Sequence, residues 1–455
     1  MSTINYLRYS AFTTYNMRFL AEIFADISSF WNVTDKIMFL IAKNKVNPKN
    51  IKFNYPELLQ SIDLIDWAIL NTHVDVLSIE VHLATNGNVK GLVYIRQKKH
   101  AIDGTLCKTA AEHGQLAALV YFHVKGFPWD KYTCIGAALK GHLECLKYAH
   151  ENGCPWDKYT CIGAAQKGHL ECLKYAHENG CPWERYTCIG AAKEGRLECL
   201  MYAHENGCPW DKIVCLIAAE KGQLECLKYA HENGCPWDKD TCIFAAKNGR
   251  LECLKYLHEQ GCPWDEDTCR IAAEKGQLEC LKYAYENGCP WDVDICGTAA
   301  ANGQLECLKY LHEQGCPWDK NTCMYAAEKG QLECLKYLHE NGCPWGKMTC
   351  NMAAFCNHLE CLKYAHENGC PWDEKIVCAN AAFCGNLECL KYAHESGCSW
   401  DEDTCRCAAE YGSLDCLKYA HENGCPWDKR TTAAAKEHGH QDCYTYAIEH
   451  GCPTN

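Results

Sequence analysis

Cysteine and histidine have the most chemistry to offer here, and both recur at fixed intervals. The 455-residue chain carries 39 cysteines and 21 histidines. A zinc site needs several such ligands within about 2.0–2.3 Å of one ion. The spacing argues against one. Cys145 and His150 stand five apart, which on a helix turns them well away from each other. His150 is echoed at His177, His204 and onward to His421, each a whole repeat away, with Tyr285 on one rung. No CxxC pair meets a second one, and Cys405 and Cys407 are only two apart. No thiol stands beside an obvious cation that would lower its pKa. The cysteine count is odd, and the N-terminus lacks the pattern of a secretory signal. Free thiols in a reducing compartment, packed as small hydrophobes, are therefore expected. A thiol-rich metal or redox store is the alternative. No metal and no cofactor are expected. The chain has no P-loop, GxSxG, HExxH or dinucleotide fingerprint. A repeated array also spreads like residues apart where catalysis needs unlike ones to converge. No enzymatic activity is expected.

Composition narrows the partners. The net charge is −13, which disfavours binding to a phosphate backbone. No apolar run reaches the roughly 18 residues of a membrane span. The expectation is an intracellular, cytoplasmic monomer that binds neither nucleic acid nor membrane and works on another protein.

The elements that place these residues form a repeat. Glycines of the string GCPW, or near variants, fall at Gly126, Gly153, Gly180 and onward to Gly451. Every step equals the one from Gly126 to Gly153, except Gly369 to Gly397, which is longer by one. The extra residue lies between Trp372 and Cys378. Asn88–Tyr94 precedes the similar Gln115–Tyr121 by the same step. In the unit Asp130–Trp156, Asp130 is a good N-cap for a first helix, A, that Gly141 ends. A second helix, B, runs from Leu143 to Glu151, with Leu143, Leu146 and Ala149 at helical spacing. Asn152-Gly153 then caps it and Pro155 forbids continuation. Helices this short are unstable alone, so each unit must lean on its neighbours. Lys147 and Glu151, four apart, read as a weak ion pair on the solvated face. The tryptophans from Trp129 to Trp427, one per unit, read as covers for the helix ends rather than a binding strip.

Ala137-Ala138-Leu-Lys-Gly141-His-Leu-Glu-Cys-Leu-Lys-Tyr-Ala-His-Glu-Asn-Gly153 resembles the core of ankyrin repeats. The units are shorter than that family's usual length of about 33 residues. Tyr132-Thr-Cys-Ile135 stands where that family has TPLH, and Cys154-Pro-Trp-Asp157 replaces its projecting finger. The HENGCPWD signature resembles the expanded ankyrin families of giant DNA viruses, which would place the chain in a host cytoplasm with a host protein as partner. The resemblance implies an all-α solenoid of about 13–14 stacked helix-turn-helix repeats over residues 73–455, with an N-terminal helical segment, 1–72, as cap.

Variation among the copies points to a face. Helix B hardly changes. In helix A, positions 5, 8, 9 and 12 after each Trp stay Cys, Ala, Ala and Gly in most copies, while positions 3, 6, 7 and 10 vary. Those offsets share one helical face. After Trp237 they are Asp240, Ile243, Phe244 and Lys247. After Trp318 they are Asn321, Met324, Tyr325 and Glu328. After Trp345 they are Met348, Asn351, Met352 and Phe355. Tyr132, Tyr159, Asp267 and Arg270 occupy the same positions in other copies. This face is expected to turn outward on the concave side and to bind a partner protein. Neutral drift on a solvated face is the alternative.

Residues 1–72 lack the cysteine and Pro-Trp signals. Leu20–Phe30 and Asp35–Leu40 resemble an F-box, with Ala21 where that family has proline. The resemblance implies docking of residues 18–45 to a Skp-type adaptor, and a ubiquitin-ligase substrate receptor as the second functional reading. A terminal cap is the structural one.

Overall fold

Many repeats start where an aspartate side chain holds the open end of a helix, whereas Gly346 and Glu184 start theirs without a side-chain bond. Asp130 lies in extended backbone and its carboxylate accepts the Tyr132 amide at 2.9 Å, one of the four donors a helix start leaves open. Helix A then runs Lys131–Lys140 and closes on Gly141 in the left-handed region, φ 79°. Glycine is required there twice over, because a Cβ would also meet the His169 ring of the next repeat at 2.5 Å. Helix B follows as Leu143–Glu151, and Gly153, φ 83°, turns the chain into Cys154-Pro155-Trp156. No finger intervenes.

A computed structural model describes residues 76–97 and 104–454. Among these residues there are 28 α-helices and no strands. The chain divides into two compact units, Met1–Pro209 and Trp210–Asn455, and the described residues of each form stacked helix pairs. Within each unit the A helices of successive repeats pack closely, while the B helices touch sparingly. The reason is side-chain size. Cys134, Ala137 and Ala138 of helix A are fully buried, and with Cys145, Leu146 and Ala149 of helix B they form the core of the repeat. Leu143 is only half-buried. Small residues let the A helices approach, and the single leucine supplies most of the apolar area, worth roughly 2 kcal/mol when fully buried.

The thiols work as latches. Cys154 Sγ donates to Asp130 O at 3.2 Å, tying the loop after helix B to the start of helix A. None of the 39 cysteines forms a disulfide, and all but Cys356 and Cys384 are buried. Burial pushes the Cys145 thiol up to about 11 and Cys172 to about 12. Arg406 does lie 3.4 Å from Cys407 Sγ, a cation placed beside a thiol by one helical step, yet burial still raises that thiol. Among the described residues no group of three or more His, Cys, Asp or Glu side chains could hold a metal ion. No described helix is long and apolar enough to cross a membrane.

The pattern is broken locally in some repeats. Asn357 takes the place of the helix A closing glycine, at φ 62°, a conformation asparagine tolerates better than most residues. After Trp291 helix A is cut to Ile295–Ala301, and Val293 is left 73% exposed. There the first-turn amide of Ile295 reaches Asp292 O only at 3.5 Å, against 2.9 Å for Thr133 to Asp130 O.

Candidate functional site

The repeat has two edges with different chemistry. Along the first, helix B meets the loop that follows it. His150 stacks on Trp156 with centroids 3.7 Å apart. Its Nδ1 lies 3.0 Å from the Tyr175 hydroxyl of the next repeat, and Tyr175 also meets the Trp156 ring edge-on. The same triplet recurs as His177–Trp183–Tyr202 in the first unit, and as His231–Trp237–Tyr256 through His394–Trp400–Tyr419 in the second. Each indole is thus held by the protein's own side chains, stacked on one and edge-on to another, which explains why helix B and the Pro-Trp loop hardly vary. One rung is altered. Tyr285 stacks on Trp291 at 3.9 Å, but the buried Tyr310 hydroxyl opposite has no hydrogen-bond partner, and burial pushes it up to about 12.

One expected pairing on this edge is replaced. Lys147 pairs with Glu144 at 3.0 Å rather than with Glu151. Helical side chains lean toward the N-terminus, which brings the ammonium over the preceding turn. Glu151 instead acts on the Tyr175 hydroxyl.

Along the second edge lie the variable positions of helix A. Tyr132, Tyr159, Lys247, Asn321, Tyr325, Met348 and Phe355 are exposed. Asp240, Phe244, Asp267, Arg270, Met324, Glu328 and Met352 are half-buried, as is Ile243. Asn351 is buried, contrary to its expected outward position. The side chain turns in beside Met348 Sδ at 4.0 Å.

The face is knitted together by its own contacts. Arg270 donates to Asp267 at 2.6 Å, and this bond holds the carboxyl below its usual range. The Lys247 ammonium sits 5.4 Å from the Phe244 ring. Phe355 meets Phe383 at 5.7 Å, and Phe383 meets Tyr411 at 3.6 Å, a run of rings across three repeats. Phe383 and the 45%-exposed Ile376 escaped the sequence reading because counting from Trp slips by one after Trp372, whereas Tyr411, eleventh after Trp400, lies beside the counted positions. In the first unit Tyr132, Tyr159 and Tyr186 are 51, 52 and 48% exposed. Tyr186 was legible as the third residue after Trp183 and was passed over. Each of these rings has a base beside it: Lys131 and Lys158 at 5.6 Å, and Arg185 at 5.2 Å.

Stacked helix pairs with a fixed packing edge and a variable outer edge define a helical repeat array. Three copies of the family model for ankyrin repeats match residues 215–295, 269–348 and 296–376. Residues 215–376 are thus built of ankyrin repeats, and the same sequence repeat continues on both sides of the matched stretch. Among solved structures, the human ASB11 ankyrin repeat domain is similar at 21% identity. The match covers 34% of this chain and 84% of that one, with a TM-score of 0.32. No curated protein matches.

Proposed function

We propose that this protein is a non-catalytic scaffold that holds a partner protein along the outer face of its A helices. One observation carries the reading: the positions that vary between copies include apolar and aromatic side chains left in contact with water. Drift on a solvated face favours polar residues, whereas Tyr325, Met348 and Phe355 are 37, 50 and 36% exposed. Exposed apolar patches mark contact surfaces. The closer packing of the A helices than of the B helices supports a face concave on that side.

Affinity capture from the native cell, with the intact chain and with Phe244→Ser, Tyr325→Ser and Phe355→Ser combined, tests this. The combined variant should lose most of its captured partner while its circular dichroism stays unchanged. Undiminished capture would overturn the proposed face. The second reading, a ubiquitin-ligase substrate receptor, draws its support from Leu20–Phe30 and Asp35–Leu40, which lie outside the described residues. A pull-down of a Skp-type adaptor that fails only when residues 1–45 are removed would favour it.

A further inference from the structure

Three successive repeats of the first unit share three of the four face positions, while the tenth after Trp changes from Leu139 to Gln166 to Lys193. Tyr132, Ile135 and Gly136 recur as Tyr159, Ile162 and Gly163, and again as Tyr186, Ile189 and Gly190. Elsewhere the third position after Trp carries no tyrosine; in the second unit it holds Ile213, then Asp240, Asp267 and Asp294, then Asn321 and Met348. A tyrosine that repeats at one step fits a ligand that repeats at the same step.

The step is short. Packed helices lie about 8–10 Å apart, and the glycines keep these close: a Cβ on Gly163 would meet Leu139 Cδ1 at 3.3 Å, and one on Gly136 would meet Glu112 Cγ at 2.5 Å. A polyproline II helix has three residues per turn and advances about 9.3 Å. A helical heptad advances about 10.5 Å, beyond that spacing. A β-strand puts residues three apart on opposite faces.

Hydrogen bonding points the same way. A proline-rich segment has no internal hydrogen bonds, so its carbonyls need donors, while proline has no N–H to give. The strip offers donors in the tyrosine hydroxyls. Its carboxylates are already engaged: Asp157 takes Lys131 at 2.9 Å and the Tyr159 amide at 3.0 Å, and Glu184 takes Lys158 at 3.0 Å. Beside Tyr132 lies a groove of about 410 Å³, lined by Lys108, Pro128 and Trp129 among others, into which a proline ring fits. The exposed parts of the three rings amount to on the order of 300 Å². A stable interface between folded proteins takes about 800 Å² from each partner, so the area suits a short linear segment and not a second copy of the chain.

We propose that Tyr132, Tyr159 and Tyr186 form a docking strip for a proline-rich segment of a partner protein, bound as a polyproline II helix with one turn per tyrosine. This rests on the reading of the A-helix face as a protein-binding surface and names the partner's chemistry for the first unit.

The test uses the full chain and fluorescein-labelled dodecaproline, followed by fluorescence anisotropy, with a glycine-serine 12-mer and a labelled dT12 oligonucleotide as comparisons. Dodecaproline should bind saturably and at least tenfold more tightly than either comparison. Combining Tyr132→Ala, Tyr159→Ala and Tyr186→Ala should weaken it tenfold or more with unchanged circular dichroism, since all three side chains are exposed. Binding no better than the glycine-serine peptide, tighter binding of dT12, or affinity that survives the triple substitution would overturn the proposal. Capture that depends on Phe244, Tyr325 and Phe355 in a chain that ignores dodecaproline would sink this inference and leave the scaffold reading standing. Tyrosine-dependent binding of dodecaproline supports it whatever that capture shows.

Discussion

Helix B and the loop behind it carry the same side chains in repeat after repeat, while helix A, only a few residues away, changes at four positions. Both belong to the same copies, so both have the same age. The difference lies in what each touches. His231, Trp237 and Tyr256 are held by one another, and a change in any one leaves the other two short of a contact. Tyr325 and Met348 border water, where exchange costs the fold little. The invariant edge joins repeats together, and the variable edge is free to be shaped by a partner.

The contrast can be broken or sharpened by substitution. Leu227 is fully buried, and Leu227→Ala should destabilise the second unit by about 3 kcal/mol, measured by urea denaturation. Trp237→Ala removes a stack and an edge contact from the invariant side. A loss of about 2 kcal/mol is expected, and a loss no larger than that of an exposed-face substitution would dissolve the distinction. Tyr285→His should restore the missing bond to Tyr310 and stabilise the array by about 1 kcal/mol, seen as slower amide exchange in Leu278–Glu286 and Leu305–Glu313. On the variable edge, Phe244→Ser, Tyr325→Ser and Phe355→Ser should each shift stability by no more than about 0.5 kcal/mol. The smallest effect is electrostatic. Arg270 depresses the Asp267 pKa, so the stability from this pair is present above the ordinary carboxylate range and is lost as the pH falls through the folded value. NMR titration should find Asp267 low and Arg270→Gln should return it toward normal; an unmoved Asp267 would show that the bond is not formed in solution.

The local architecture was legible because its signals are local. Asp130, Gly141 and Asn152-Gly153 mark helix ends within a few residues of the turns they cause, and the observed bounds follow them. The pairing of His150 with Tyr175 was not legible, since nothing near either residue indicates a partner 25 positions away. Lys147 had two acids within helical reach, and the choice between them depends on side-chain lean rather than spacing. The variable face could be found by comparing copies, but not its depth. Asn351 is buried although its neighbours along the face are not, and the one-residue insertion hid Phe383 from a count made from tryptophan.

The aromatic triplet has a consequence for how such a chain changes length. Successive rungs of the second unit ask for the same residue at the same place, whichever repeat supplies it. Excising the single repeat Asp238–Trp264 would seat Tyr283 where Tyr256 stood and bring Asp265 to Lys212 in place of Asp238. Two cut ends that already match need no new joint. Shortening or lengthening by whole units thus leaves the seam intact and alters only the order of outward-facing side chains, so evolution can edit what the protein holds without redesigning what holds it together.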